Sequence, residues 1–219
     1  MNFKLIKYLF FLDGDLPEIS VLKKILSIKT TIIAADGAAD KLLANNIKPD
    51  IIIGDMDSYK LPYRTNLIYD SDQNTTDGEK LFNYALKKGF NHCLVFGLFG
   101  QALDHTLYNL NLFIKYSKPL NLIAHQPVKN NKNQWILPFI KSIKIILPEN
   151  SIISIIPTPT VKFSAPNLKW PVEKELITHE AFPVRNRTCT TETIIYHHSG
   201  MGLITFEDSS WPNYSLIEN

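Results

Sequence analysis

Aspartates follow apolar, strand-like segments in the first half of the sequence, and their spacing suits the binding of a cation. Asp36 comes directly after residues 31–35, and Asp55 and Asp57 come shortly after residues 51–53. An extended backbone places the side chains of residues i and i+2 on one side, so we expect Asp55 and Asp57 to share an ion. A single Asp after a strand is also typical of a turn or a helix cap. A cap needs one carboxylate, so the doubled carboxylate indicates a function.

Two further aspartates, Asp77 and Asp104, stand at the starts of predicted helices. In an open α/β sheet, ligands bind beyond the carboxyl ends of the strands, so we expect both residues to converge there with the strand-end aspartates. Several carboxylates in one cleft repel one another unless a cation lies between them. Hard oxygen ligands favour Mg²⁺, which keeps some waters and takes the rest of its shell from substrate phosphates.

Two segments have the composition of phosphate-binding loops. Gln73 and Thr76 precede a predicted helix, where free N–H groups and the helix dipole favour anions. Lys80 lies one turn inside that helix, and the alternative for it is a solvated surface side chain. Gly97 and Gly100 lie between a strand and a helix, which suits close approach of a phosphate or nucleotide to the backbone. The sequence has no G-x-x-x-x-G-K-[ST], so it is not that of a P-loop enzyme.

The first region alternates predicted strands and helices. The strands are apolar runs at 5–12, 31–35, 51–53, 93–96 and 120–124, and the helices cover 17–28 and 38–45 and start near 76 and 103. Thr76 and Glu79 form a capping box, and Gly89 suits the position after the helix. The apolar face of the last helix is predicted to consist of Leu103, Leu107, Leu110 and Ile114. This alternation favours a mainly parallel, Rossmann-like α/β domain.

The second region has a different composition, because 11 of the 12 aspartates precede residue 126 and 7 of the 9 glutamates follow it. The polar segment 126–134 predicts a linker or loop. Short β-prone runs at 143–147, 152–156, 193–196 and 203–206 are punctuated by Pro, Asn and Gly, which predicts a β-sandwich. We therefore predict an α/β nucleotide- and metal-binding domain over 1–125 and a β-sandwich over 135–219.

Composition excludes several classes of protein. The chain has 219 residues, of which 45% are hydrophobic and 20% are charged, so we expect a folded globular protein. The net charge of +2 gives no indication of a nucleic acid partner. The sequence has no apolar run near 20 residues, so we expect no membrane partner. Cys93 and Cys189 are too few for a disulfide framework. The N-terminal apolar run is short for a secretory signal, so we expect a cytoplasmic protein.

The ordered motifs resemble those of the thiamine pyrophosphokinase family. The matching segments lie in the family's order and spacing between about residues 34 and 112: Ala35–Ala39, Lys48–Asp50 with Gly54–Ser58, Asp72–Gln73 with Thr76, Asp77 and Lys80, and Gly97, Gly100, Asp104–His105 and Asn109–Leu110. Residues 167–172 and Asn186 agree with the family's later motifs.

The resemblance implies a homodimer that transfers the pyrophosphoryl group of ATP to the hydroxyl of thiamine, giving thiamine diphosphate and AMP by in-line attack assisted by Mg²⁺. It implies Mg²⁺ ligands at Asp55, Asp57 and Asp77, with Asp36 or Asp104 orienting the hydroxyl. The residues implied to contact nucleotide or phosphate are Gln73, Thr76, Lys80, Gly97, Gly100 and Asn109. Thiamine is implied to bind between subunits, at residues of the β-sandwich domain, which would also form the dimer. The residues implied to contact it are Trp170, Asn186 and Trp211.

The sequence departs from the family pattern at two places. Ala102 stands where the family has the Arg of Gly-Gly-Arg-Leu-Asp-His, and Arg185-Asn186-Arg187 replaces Ser-Asn-Glu. A replacement cation would be Arg185, Arg187 or Lys80. Two alternative functions stay open. One is a pyrophosphokinase of the same fold that acts on another hydroxymethyl heterocycle, such as a pterin, and the other is a non-catalytic nucleotide-binding regulator.

Overall fold

The computed structural model describes residues 5–26, 30–57, 66–128, 132–208 and 211–217. The chain divides into two compact units, one formed by Ile6–Pro127 and the other by Val128–Asn219 together with Met1–Leu5. Among the helices in the described ranges, none has the length and apolar character needed to cross a membrane.

Parallel strands form the sheet of the first unit. In chain order these are β1 (Tyr8–Phe11), β2 (Thr31–Ala35), β3 (Ile51–Gly54), β4 (Asn66–Tyr69), β5 (Cys93–Phe96) and β6 (Leu122–Val128). They lie in the order β6, β5, β1, β2, β3, β4, and all neighbours are parallel. The centre of β1 is fully buried, as expected for an apolar strand covered on both faces. The predicted strands at 31–35, 51–53 and 93–96 are confirmed, whereas β4 was missed because its side chains are mostly exposed.

Four helices accompany this sheet: α1 (Ile19–Leu26), α2 (Asp36–Ala44), α3 (Asp77–Lys87) and α4 (Leu103–Leu120). Half of the predicted capping box of α3 is confirmed, since Oγ1 of Thr76 accepts a hydrogen bond from the N–H of Glu79 at 3.3 Å. The Glu79 carboxylate instead accepts from the hydroxyl of Tyr108 and from Nζ of Lys115 on α4. Gly89, at φ 69°, follows the end of that helix as predicted. The last residues predicted for α1, 27 and 28, lie outside the described ranges. Helix α2 begins at Asp36, two residues earlier than predicted.

The predicted apolar face of α4 is wrong. Leu103 and Leu107 are exposed by 73% and 53%, respectively. The helix instead buries the face with Leu112, Phe113, Tyr116 and Leu120. Tyr116 stacks on Phe82 of α3 with ring centroids 5.3 Å apart. Both faces of α4 carry apolar residues, and the face with aromatic partners on α3 is the one that packs.

Antiparallel strands form the second unit: β7 (Lys132–Phe139), β8 (Ile143–Ile146), β9 (Ile152–Ala165), β10 (Val172–Thr178), β11 (Asn186–Arg187), β12 (Glu192–Asp208) and β13 (Asn213–Leu216). Strand β12 pairs with β7, β8 and β9, and β9 also pairs with β10 and β11 while β8 also pairs with β13. The short runs predicted at 193–196 and 203–206 are both parts of β12, which continues through Gly200 with register shifts. Glycine alone therefore did not mark a turn there.

The segment 126–134 was predicted to be a linker or loop from its polar composition, but its residues 126–128 and 132–134 lie in strands, and 129–131 lie outside the described ranges. Strand β6 continues to Val128 and β7 begins at Lys132. Polar side chains are tolerated here because pairing of the backbone, and not burial of the side chains, is what a strand requires.

Candidate active site

A cleft of about 220 Å³ opens at the carboxyl ends of the parallel strands in the first unit. Its walls are formed by residues that follow β1, β2 and β3 and by the N-terminal parts of α3 and α4. Open α/β sheets bind ligands at this edge, and helix N-termini there favour anions.

Three carboxylates lie close together, and two of them, Asp36 and Asp55, line the cleft. Asp36, Asp55 and Asp57 each offer one oxygen, and these oxygens lie within 4.8 Å of one another. The predicted grouping of the strand-end aspartates is thus confirmed for these three. The chain is not extended between Asp55 and Asp57, however, because Met56 has φ 63° and the N–H of Asp57 donates to Oδ1 of Asp55 at 3.3 Å. A turn, and not an extended strand, brings these two carboxylates together.

Asp36 is the buried member of the carboxylate cluster, with 1% of its surface exposed. Its Oδ1 accepts a hydrogen bond from the N–H of Gly37 at 2.5 Å, while its Oδ2 is buried and has no hydrogen-bond partner among the described residues. Burial raises the pKa of Asp36 to about 7, and the carboxylates of Asp77 and Asp55 add to the rise. A buried oxygen without a partner is costly, so a cation suits this position.

Gly54 lets β3 approach Asp36 closely. A Cβ atom at this position would lie 2.7 Å from Cγ of Asp36, which is closer than a real contact. Any larger residue would therefore displace the Asp36 carboxylate from the cluster.

Lys80 is a cationic partner of two carboxylates of the cleft, those of Asp77 and Asp55. Its Nζ lies 3.0 Å from Oδ1 of Asp77 and 4.0 Å from Oδ2 of Asp55, and its side chain is 3% exposed. Burial opposes the charge, but the carboxylates of Asp77 and Asp55 outweigh it and raise the pKa of Lys80 above its usual value. Lys80 is therefore a charged residue of the cleft and not a solvated surface lysine. Asp77 lines the cleft as predicted, held by Lys80 on the first turn of α3.

Gln73 and Thr76 lie at the N-terminal side of α3. Nε2 of Gln73 donates to Oδ2 of Asp55 at 2.9 Å, and this hydrogen bond is the largest cause that lowers the pKa of Asp55. Thr76 lines the cleft, with its side-chain oxygen used as the cap of α3. Gln73 thus keeps Asp55 ionised and oriented, which suits a metal ligand.

Asn109 and Asp104 are both on α4 but differ in placement. Asn109 is 7% exposed, lines the cleft, and makes no side-chain hydrogen bond within the described ranges. Asp104 is exposed, and its Oδ1 accepts from the N–H of His105 at 2.9 Å. The structure therefore brings Asn109, and not Asp104, to the wall of the cleft.

Gly97 and Gly100 pack against the segment that follows β1 and are not among the residues that line the cleft. A Cβ on Gly97 would lie 2.1 Å from the carbonyl oxygen of Leu12, and one on Gly100 would lie 2.2 Å from Cγ of Asp15. Close packing of the chain on itself, at φ 75° and 97°, accounts for both glycines.

Asp13 and Gln101 also line the cleft, and sequence reasoning did not select them. Oδ2 of Asp13 accepts from Nε2 of Gln101 at 2.8 Å, and its Oδ1 lies 2.8 Å from Nζ of Lys41. Asp13 follows β1 in the same way that Asp36 follows β2. The strand-end pattern that identified the other aspartates would have found it.

The residues implied to contact thiamine lie in the second unit. The Asn186 amide is buried, with Oδ1 accepting from the N–H of Trp170 at 3.1 Å and Nδ2 donating to the carbonyl of Trp170 at 2.7 Å. This clamp holds the backbone of Trp170, whose side chain is 55% exposed, with Nζ of Lys169 5.1 Å from its ring. Trp211 packs on Trp135, with ring centroids 4.9 Å apart.

Both arginines that flank Asn186 have partners within the second unit. Nη1 of Arg185 lies 3.6 Å from Oε1 of Glu207, and Nη1 of Arg187 donates to the carbonyl of Asn150 at 2.9 Å. Ala102 provides no side-chain cap for α4. Of the three cations considered as replacements for the family's Arg, Lys80 is the one that lines the cleft.

Residues 22–124 match the family described as thiamin pyrophosphokinase, catalytic domain. Thiamine pyrophosphokinase 2 of Arabidopsis thaliana is 34% identical over 89 residues, a match that covers 34% of this chain and 33% of that protein. The chain thus matches about a third of the length of this curated relative.

Solved structures resemble the fold over nearly the whole chain. Thiamine pyrophosphokinase from Bacillus subtilis has a TM-score of 0.76 at 21% identity, with 91% of this chain and 98% of that one covered. Yeast thiamin pyrophosphokinase has a TM-score of 0.76 at 16% identity, covering 92% and 86%. The Candida albicans enzyme has a TM-score of 0.74 at 14% identity, covering 94% and 90%.

Proposed function

Because residues 22–124 match the thiamin pyrophosphokinase catalytic domain, we propose that the chain transfers the pyrophosphoryl group of ATP to the hydroxyl group of thiamine. The hydroxyl oxygen attacks the β-phosphorus of ATP. The bond from that phosphorus to the oxygen bridging the α-phosphate breaks, and AMP leaves with the electron pair. The hydroxyl proton is released, and the products are thiamine diphosphate and AMP.

The observation that carries this proposal is the cluster of Asp36, Asp55 and Asp57, whose oxygens lie within 4.8 Å of one another beside the buried Lys80. Such a concentration of negative charge would repel the phosphates of ATP if no cation were present. The cluster therefore supports a reaction of a phosphate substrate with a divalent metal ion.

The donor set fits Mg²⁺, because carboxylate oxygens are its preferred protein ligands and Oδ2 of Asp36 is buried without a partner among the described residues. Asp55 and Asp57 would hold the ion together with Asp36, and we retain Asp77 as a further ligand. When bound, Mg²⁺ neutralises charge on the phosphate oxygens and orients them.

The chain's own residues position the substrates and balance the remaining charge. Lys80 would offset negative charge on the transferred phosphates, because it is buried at the cleft and kept charged by its carboxylate partners. Thr76, at the N-terminus of α3, would direct that end of the helix at phosphate oxygens, and Asn109 would contact the nucleotide. Between the two candidates for orienting the hydroxyl, we assign Asp36, since it lines the cleft and Asp104 does not.

We further propose a cytoplasmic homodimer in which thiamine binds between subunits. Trp170 would provide an exposed aromatic surface for the thiamine rings. Asn186 would act by holding the Trp170 backbone, and Trp211 would contribute a further aromatic contact. The antiparallel strands of the second unit support its assignment as the β-sandwich domain, and the parallel strands of the first support a Rossmann-like domain.

Pyrophosphoryl transfer to a pterin alcohol has less support. It was suggested by Arg185 and Arg187, and these side chains contact Glu207 and Asn150 within their own unit. A non-catalytic regulator is likewise disfavoured, because the clustered carboxylates are retained together with Lys80.

Release of AMP tests the proposal. Purified protein is incubated with ATP and Mg²⁺, and with thiamine, a pterin alcohol or no acceptor. We expect AMP to form with thiamine and to require Mg²⁺. Asp57→Asn should abolish it, while Asp40→Asn, which makes the same change on α2 at a residue that does not line the cleft, should not. AMP formed only with the pterin, or with no dependence on an acceptor, would contradict the assignment.

A further inference from the structure

We propose that Gln101, held in place by Asp13 and Lys41, is a specificity-determining residue that accepts a hydrogen bond from a hydroxyl group of a substrate in the cleft. This inference rests on the proposed function, because ATP and thiamine are the substrates assigned there. Gln101 belongs neither to the carboxylate cluster nor to the residues assigned to the transfer step.

Asp13, Lys41 and Gln101 form a connected group at the wall of the cleft. Nε2 of Gln101 donates to the backbone oxygen of Asp13 at 3.1 Å and to Oδ2 of Asp13 at 2.8 Å. Nζ of Lys41 lies 2.8 Å from Oδ1 of Asp13 and 2.5 Å from its backbone oxygen. Each carboxylate oxygen of Asp13 thus has its own donor, and the side chain of Gln101 is held by its NH₂ group.

These partners decide which end of the Gln101 amide is available to a ligand. The carbonyl and the carboxylate of Asp13 are acceptors, so the NH₂ group of Gln101 must face them. Both hydrogens of that group are then used. Oε1 of Gln101 makes no hydrogen bond to any of the residues that the structure describes, and Gln101 lines the cleft. The polar atom that remains for a ligand is therefore an acceptor.

An acceptor at this position selects among ligand groups. Phosphate oxygens are also acceptors and would find no donor at Oε1 of Gln101. A hydroxyl group can donate to Oε1 without a charge penalty. ATP carries hydroxyl groups on its ribose and thiamine carries one at its reacting end, so the shared chemistry is a hydroxyl donor.

The same residue is one at which this chain differs from the family motif. Gly100-Gln101-Ala102 stands where the motif has Gly-Gly-Arg. A glycine at position 101 has no side chain, and the Arg that follows it in the motif is a donor suited to phosphate. This chain presents an acceptor one residue earlier, which changes the kind of group that the wall of the cleft can bind.

Binding measurements with ligands that differ by one hydroxyl test the proposal without relying on turnover. Calorimetry with Mg²⁺ and α,β-methylene-ATP, compared with its 2′-deoxy and 3′-deoxy forms, examines the ribose. Thiamine, compared with an analogue that has ethyl in place of hydroxyethyl, examines the reacting alcohol. We expect the wild type to prefer the hydroxyl form of one pair by about fivefold, the usual effect of one neutral hydrogen bond.

Gln101→Met keeps the length of the side chain and removes the acceptor, so it should bind both members of that pair equally. Gln134→Met makes the same change in β7, outside the cleft, and should keep the preference. Asp13→Asn leaves Gln101 in place but frees its amide to turn, so the preference should decrease there too. If thermal melting shows that Gln101→Met does not fold, the loss of preference in Asp13→Asn tests the proposal in its place.

The pair that shows the effect identifies whether ribose or thiamine supplies the hydroxyl. The inference is overturned if no pair shows a preference in the wild type, or if Gln101→Met retains it. AMP formation by the wild type is assayed separately. Failure to form AMP while the binding preference depends on Gln101 would refute the proposed transfer and leave this inference standing.

Discussion

Replacing Asp36 by Asn should change how the stability of the metal-free protein depends on pH. Burial raises the pKa of Asp36 from 3.8 to about 7. Above pH 4 the unfolded chain loses this proton while the folded protein keeps it, and above pH 7 folding must bury a charged carboxylate. The stabilising contribution is therefore complete below about pH 4 and is lost as the pH rises to about 7.

The raised pKa of Asp36 corresponds to a difference of about 4 kcal/mol in the free energy of unfolding between pH values below 4 and above 7. This is an upper value, because local rearrangement and solvent entry reduce such costs. For a chain of this size, 4 kcal/mol corresponds to on the order of 10 °C in Tm. Asp36→Asn removes the titrating group, so in EDTA its Tm should exceed that of the wild type at pH 8 and the difference should decrease towards pH 5.

The assay is thermal melting from pH 5 to pH 8.5, in EDTA and in Mg²⁺. Because Mg²⁺ binds the ionised carboxylates, its stabilisation of the wild type should increase with pH up to about 7 and then level off. Asp36→Asn should lose most of that stabilisation. Asp40→Asn, with the same change of charge on α2, should follow the wild type. A pH dependence of Asp36→Asn in EDTA that matches the wild type would refute the reasoning.

Four other outcomes are expected. Lys80→Met should lower kcat/KM by one to two orders of magnitude, the usual effect of losing a charge-assisted hydrogen bond, and an unchanged value in the AMP assay would contradict its role. Gly54→Ala should weaken Mg²⁺ binding measured by calorimetry, because its Cβ would lie 2.7 Å from Cγ of Asp36; unaltered affinity would count against the packing argument. Ala102→Arg should raise kcat/KM about tenfold, since it restores a donor for phosphate. No gain would show that the chain does not lack a phosphate donor at this position. Light scattering should give twice the 25.0 kDa chain mass, and a monomer at micromolar concentration would rule out the homodimer.

The elements that could be predicted are those whose signals are local. The Thr76 N-cap of α3 and the positive φ of Gly89 depend on a few neighbouring residues, and both appear where expected. Strand β4 was missed because its side chains carry almost no burial pattern. The buried face of α4 was misassigned because both faces carry apolar residues, and Phe82 of α3 decides which one packs.

The candidate site divides in the same way. Strand-end aspartates and the order of the motifs identify Asp36, Asp55, Asp57 and Asp77 from sequence, because the carboxyl ends of parallel strands meet at one edge of a sheet. Gly97 and Gly100 were assigned to a ligand from their place between a strand and a helix and from the motif order. A Cβ at either position would meet the chain itself, and contact of their backbone with a ligand stays a prediction.

Residue types and their order therefore determined the family resemblance, the carboxylates and the end of the sheet where they lie. Tertiary structure decided which carboxylate is buried, that a turn at Met56 joins Asp55 to Asp57, and that Lys80 is enclosed and charged. It also placed Asp13 beside Gln101, which is 88 residues away in sequence. Burial, pKa and hydrogen-bond direction depend on groups that are distant along the chain, and only folding brings those groups together.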